Sequence, residues 1–365
     1  MTTRIHTCTL LSLLLVFAAQ PVVADIPPSG DGAIVVANRG GASISVIDVA
    51  TSDVNTVAMP AGDNTPEPMY VVYSPMNDLV FVGDRANDRV VAFDAQTFAV
   101  ETTIPTGAGV FHMWGEPSTG QLWVNNDIDN TVSVLDMTGL SNLDTFSTPA
   151  DLVALGGKPH DVILDPSGPY GYVSMIGVDG ANDYVVKYDA STYNEMDRQA
   201  VGNDPHLSLS AFHDKLYVPS QGGDMVSVLD RDTLNPLTTI GVDNAHGATT
   251  SKDGSLFFTT DIADGGVDAV VVIDTSTDTV IGSADSLLAV PHNLSLSPDE
   301  NLIYVTHSGE ASDQVSIFDV SNPMDPTYLT SVTVGLNPFG LTTIPEPMTL
   351  LIFTAGALIL LRNRR

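Results

Sequence analysis

Four histidines recur in one register. His160, His206, His246 and His292 stand 46, 40 and 46 residues apart, and three of them directly follow a proline. Intervals of that size are those of a structural repeat, so the four would occupy equivalent places in successive copies. Neutral imidazoles that converge suit copper, zinc, nickel or iron, and a register without carboxylates argues against calcium and magnesium. The remaining copies contribute Phe339, Met69 and Phe111 at the same position. Met69 would add a soft thioether donor, which leans the set toward copper. His307 closes a neighbouring strand at the same end and is a further candidate ligand. His112 lies one residue out of register and should point away from its companions unless a bulge intervenes. The alternative reading is that each imidazole hydrogen-bonds a nearby carbonyl or a water.

The elements that must position these residues are short strands. An apolar residue followed by Asp closes a strand at Ile47-Asp48, Phe93-Asp94, Leu135-Asp136, Tyr188-Asp189, Leu229-Asp230, Ile273-Asp274 and Phe318-Asp319. The fullest copy runs from Trp123 through Asn126 to Thr131 and Asp136, a strand, a polar turn and an alternating strand. An inner strand such as Pro291–Leu296 precedes each copy and ends in a Ser-Pro-Asp type of turn. A fourth strand such as Thr279–Gly282 or Leu237–Ile240 follows it. Seven copies of one four-stranded unit predict an all-β, seven-bladed β-propeller.

These repeats resemble the YVTN β-propeller repeat family over nearly all of residues 32–343. The chain begins near Gly32 with what reads as a second strand and ends with an inner strand, Asn337 to Leu341. That last strand is expected to close the ring by completing the first blade, which leaves no unpaired edge. The fourth blade reads as stretched, with an insertion from Met137 to Gly157.

The two ends read as addresses, which divides the chain into 1–24, 25–343 and 344–365. Residues 1–24 have the weakly basic start, apolar run and small residues Val22 and Ala24 of a secretory signal cleaved before Asp25. At the other end Pro345-Glu346-Pro347 precedes an apolar run, Met348 to Leu361, and a basic cluster of Arg362, Arg364 and Arg365. This order resembles the PEP-CTERM sorting signal of Gram-negative bacteria. The resemblance implies a transient tail helix, an exosortase-type sorting enzyme that cleaves near Pro347, and delivery to the cell surface or extracellular polymer. Extracellular polysaccharide and envelope proteins are then the expected partners. The only cysteine, Cys8, lies in the signal, so the processed chain has no disulfide, thiolate metal site or thiol nucleophile.

The formal net charge is −31. Processing at both ends would leave 9 basic against 43 acidic residues. A surface so acidic repels nucleic acid and anionic lipid, and its scarcity of Arg and Lys disfavours phosphorylated substrates. Asp84, Asp127, Asp129, Asp179, Asp183, Asp261, Asp264 and Asp313 crowd the turns at the histidine end, without the spacing of a calcium loop. No nucleophile elbow, phosphate loop or dinucleotide fingerprint occurs. The expected function is an exported binding or scaffold protein with a transition-metal site, copper or zinc, at the channel mouth. Two alternatives stay open. One is a copper-type storage or oxidase protein. The other is a lactonase-like hydrolase, since YVTN proteins are distantly similar to propeller lactonases and the His160-Asp161 pair is suggestive.

Overall fold

A computed structural model describes residues 32–345 apart from 168, 181, 211 and 264. Seven four-stranded antiparallel sheets surround one axis, and in six of them the strands follow chain order from inside to outside. The exception is the closing blade. There Pro338–Ile344 pairs with Ala33–Asn38, followed outward by Ser43–Asp48 and Val54–Ala58. The first and last strands of the propeller therefore share a sheet, as the reading of the chain ends anticipates. The other inner strands are Pro68–Ser74, Val110–Glu116, Lys158–Leu164, Ser208–Ser210, Ala245–Thr250 and Pro291–Leu296.

The middle strands alternate Val, Ile and Phe with small residues, and each blade buries this face against its neighbour. The result is seven apolar clusters, one per blade interface. One joins Val80, Val82 and Phe93 of the second blade to Val35 and Val46 of the first. Another joins Phe258 and Val270 of the sixth to Ile303 and Phe318 of the seventh. Outer strands such as Ser141–Ser147 are largely exposed and carry little of this packing. At about 25 cal/mol per Å² of apolar surface, stability is concentrated in the interfaces between blades.

The stretch from Met137 to Gly157 differs from expectation. Its centre is the regular outer strand Ser141–Ser147 of the third blade, and the one-turn helix Ala150–Ala154 is the additional element. That strand is polar (Ser-Asn-Leu-Asp-Thr), so it lacks the apolar alternation that marks a strand in sequence. The secretory signal with Ala24, and the tail with Glu346, Pro347 and its apolar run, lie outside the described residues, as does Asp264. Among the described residues no helix is long and apolar enough to cross a membrane.

Candidate active site on the propeller axis

The inner strands carry a local irregularity that builds the site. In six of them the pairing with the second strand slips by one residue just after the strand begins, at Pro68/Val71, Val110/Met113, Pro159/Val162, Ala245/Ala248, Pro291/Leu294 and opposite Val36/Asn38. The extra residue interrupts the alternation of sides, so two successive side chains can face the axis. The axis is thus lined by two tiers. The upper tier is the predicted register of Phe339, Met69, Phe111, His160, His206, His246 and His292. The lower tier contains Tyr70, His112, Asp161 and Asn293, with room made by Gly247 and Gly340. A Cβ on Gly340 would lie 2.7 Å from Tyr70 Cα, and one on Gly247 would lie 2.6 Å from the carbonyl oxygen of His292.

The upper tier forms a continuous circuit of rings. Centroid separations are 4.2 Å from Phe339 to His292, 4.4 Å to His246, 3.9 Å to His206, 4.6 Å to His160 and 5.0 Å to Phe111. Phe111 and Phe339 are 6.0 Å apart. The four histidines of the predicted register therefore stand together. His160 Nε2 lies 3.0 Å from His206 Nε2 and 3.3 Å from Asp204 Oδ1. Met69 is fully buried in the apolar cluster with Phe339 and Val110.

Three placements differ from the sequence reading. His112 turns inward, because the slip beside it supplies the one condition under which it would. Its ring packs at a tilt against Tyr70, centroids 3.8 Å apart, and lies 4.8 Å from the His160 ring and 5.2 Å from that of His206. His307 stays in the blade wall: its Nδ1 is 2.8 Å from the Ala289 carbonyl and its Nε2 is 2.7 Å from Ser316 Oγ, so both ring nitrogens are used locally. Carboxylates, absent from the upper register, are brought beside it by Asp161 below and Asp204 at the side.

The lower tier is one hydrogen-bonded chain. Asn293 Nδ2 donates to Tyr70 Oη over 3.0 Å, and Tyr70 Oη is 2.6 Å from His112 Nε2. His112 Nδ1 is 2.8 Å from Asp161 Oδ1, and a carboxylate can only accept there. The proton of the neutral imidazole therefore sits on Nδ1, and Tyr70 donates to Nε2. Asp161 also accepts from the backbone amides of Val162, 2.7 Å, and Leu207, 2.8 Å. Residues from four blades meet in this chain.

Burial governs the protonation states. It holds His112, His160, His206, His246 and His292 well below the ordinary histidine range, with neighbouring imidazoles adding to the effect in the last four. It raises Asp161 to about 6 against the opposing pull of His206, and raises Asp204 to about 6. Tyr70 is pushed well above its usual value, also by burial, so it rests protonated. Among the described residues, Nδ1 of His206 and Nδ1 of His246 are buried without a hydrogen-bond partner. Neutral ring nitrogens of His112, His160 and His206 lie within 4.8 Å of one another, so these three could form a metal site.

The chain faces a cavity of about 410 Å³ that opens at the opposite end of the inner strands from the upper tier. Tyr70, His112, Asp161, His206 and Asn293 form its inner end. Trp114, Thr249, Thr250, Ser295, Thr342 and Thr343 line its walls, and Lys252 and Glu300 stand at its rim with Pro345. Lys252 is the one cation among these lining residues. A site with a paired base, an orienting carboxylate, hydroxyl-lined walls and little positive charge is suited to proton transfer on an uncharged polar molecule.

Comparison with known proteins agrees with the seven-bladed fold. The chain is 29% identical over 117 residues to the seven-bladed β-propeller protein Rv1057 of Mycobacterium tuberculosis, a match that spans 32% of this chain and 29% of that relative. The Pseudomonas aeruginosa periplasmic gluconolactonase PpgL superposes with a TM-score of 0.65 at 19% identity, over 87% of this chain and 99% of that one. A functionally unknown protein from Desulfotomaculum acetoxidans gives 0.69 at 13%, covering 87% and 100%. Hydrazine synthase of Kuenenia stuttgartiensis gives 0.63 at 16%, covering 76% and 95%. At these identities the structures speak for fold alone. Residues 6–247 match the family described as lactonase, 7-bladed β-propeller, and the chain belongs to that family.

Proposed function

We propose that the protein hydrolyses an uncharged cyclic ester in the axial cavity, with Tyr70, His112 and Asp161 as a proton relay. The carrying observation is the unbroken pair of short contacts, 2.6 Å and 2.8 Å, that links a cavity-facing hydroxyl through an imidazole to a carboxylate. Water attacks the ester carbonyl and gives its proton to Tyr70 Oη, while Tyr70 passes its own proton to His112 Nε2. Asp161 stabilises the imidazolium. The ring C–O bond then breaks, and the proton returns through Tyr70 to the leaving alkoxide, so that lactone and water become a hydroxy acid. A positioned acid–base group contributes about 10²- to 10⁴-fold. Family membership supports the reaction class, and the hydroxyl-rich walls with one rim cation support a polyhydroxylated, unphosphorylated substrate. The test is turnover of a panel of sugar lactones at constant pH. Tyr70→Phe should lower kcat/KM at least 100-fold. A wild-type rate equal to that of buffer, or a fully active Tyr70→Phe enzyme, sinks the reading, and a binding or scaffold role without turnover replaces it.

A second reading, a copper or zinc centre on the same imidazoles, is favoured by the three donors within 4.8 Å. Metal content of protein purified without an affinity tag tests it. The proposal also includes export and sorting by an exosortase-type enzyme to the cell surface or extracellular polymer. Mass spectrometry of the mature chain should then find a start at Asp25 and an end near Pro347.

A further inference from the structure

His112 belongs to two sets of contacts that cannot both be satisfied. In the relay its Nε2 accepts from Tyr70 and its Nδ1–H donates to Asp161. In the three-histidine group it must offer one of those nitrogens to an ion. The arrangement around Nδ1 favours keeping Asp161 in place, because a carboxylate on the far nitrogen orients an imidazole ligand and raises its basicity. Nε2 is then the ligating atom, and Tyr70 must let go.

The rest of the group is poised for an ion. His160 Nε2 and His206 Nε2 share a hydrogen bond at 3.0 Å, about 0.3 Å shorter than the separation of two nitrogens on one tetrahedral ion with bonds of about 2.0–2.1 Å, so an ion that replaces the shared proton needs only a small opening of the pair. Asp204 Oδ1, 3.3 Å from His160 Nε2, is the carboxylate at hand for a fourth position, which it would reach by moving in toward the three imidazoles. All three imidazoles are buried. The donor atoms are those that zinc and copper(II) prefer.

We propose that a zinc or copper(II) ion binds His112, His160 and His206, with Asp204 as a fourth donor, and that in binding it takes His112 from Tyr70 and switches the relay off. This rests on the hydrolytic reading above and adds a regulator to the same site. Metal binding and turnover then exclude each other, as two claims on one lone pair. The ion enters as a cation drawn to an acidic molecule, and its removal restores the Tyr70–His112 bond.

The test uses the full chain stripped with a chelator. Cobalt(II), the spectroscopic stand-in for zinc, is titrated into wild type and Tyr70→Phe, with circular dichroism to verify folding. The expected result is one tetrahedral cobalt per chain, bound about 10-fold more tightly by Tyr70→Phe, since no hydrogen bond has to be broken there. In parallel, one equivalent of zinc should reduce wild-type lactone hydrolysis at least 10-fold, reversibly with chelator. The ratio of rates with and without zinc should return to near one in His160→Phe, or in His206→Gln if the first variant does not fold. Absence of the cobalt spectrum, unchanged affinity in Tyr70→Phe, or full turnover with zinc bound overturns the proposal. If wild type hydrolyses no lactone, the hydrolytic reading fails by itself, and the cobalt comparison still decides whether Tyr70 competes with the ion.

Discussion

Asp161 and Asp189 belong to the same blade and have opposite surroundings. Asp189, on the outer turn, accepts the amides and hydroxyls of Ser191 and Thr192, all within three residues. Those bonds hold its carboxyl down at about 2. Asp161, on the axis, takes His112 from the preceding blade and the Leu207 amide from the following one, and burial lifts it to about 6. The turn is a local device that any blade can make alone, and it recurs at Asp94, Asp136, Asp230, Asp274 and Asp319. The axial carboxylate acquires its environment only when three blades have come together. Rim chemistry is stabilising and ordinary, whereas axial chemistry is costly and depends on assembly.

The contrast can be attacked by mutation. The largest effect is expected for Asp161→Asn. It places an amide where two backbone N–H groups and His112 all require an acceptor, and should cost about 2–3 kcal/mol in urea unfolding together with most turnover. Tolerance of this change would mean that the axis is no more demanding than the rim. Gly340→Ala comes next, because its methyl must displace Tyr70 from a 2.7 Å approach. A cost of about 1–3 kcal/mol by thermal denaturation, with reduced kcat, is expected. Asp189→Ala should cost about 1 kcal/mol and leave hydrolysis unchanged, since it removes one local turn among several.

Acidification sharpens the same comparison. The five axial imidazoles have depressed values in the folded protein, so below about 6.5 the unfolded chain takes up protons that the folded one refuses. Stability is therefore complete above that pH and lost as pH falls through it. Asp161 and Asp204, raised to about 6, act in the other direction between roughly 6 and 4, but they are two groups against five. Rim aspartates such as Asp189 contribute only as pH falls below about 4 toward 2. Melting temperatures in chelator should decline from pH 7 to pH 5. A flat profile would contradict neutral burial of the imidazoles.

The architecture and the upper tier were legible in the sequence because both depend on periodicity. Seven apolar–Asp strand ends fix seven units, and the residue after Pro159, Pro205 and Pro291 then falls into one register. The lower tier was hidden by the slip at the start of six of the inner strands. Simple alternation assigns Tyr70, His112, Asp161 and Asn293 to the space between blades, where apolar residues belong. That mismatch was the available signal: polar or glycine residues directly follow the axial position in six of the seven copies, Tyr70, His112, Asp161, Gly247, Asn293 and Gly340, and Leu207 alone conforms. His307 misled for the converse reason. Its place at a strand end looked axial, but the Ser316 hydroxyl and the Ala289 carbonyl that bind its ring are visible only in the folded blade.

Pairing of Ala33–Asn38 with Pro338–Ile344 has a consequence for how the molecule is made. Synthesis delivers three strands of that sheet some three hundred residues before the fourth, and contacts of such long span are the slowest to form. Blades two to seven can stack as they emerge, while the earliest strands wait with a bare flank. The toroid is thus sealed in a single late event, and until then Gly340 cannot shape the recess that receives Tyr70. Closure of the ring and completion of the axial hydrogen-bonded chain should coincide.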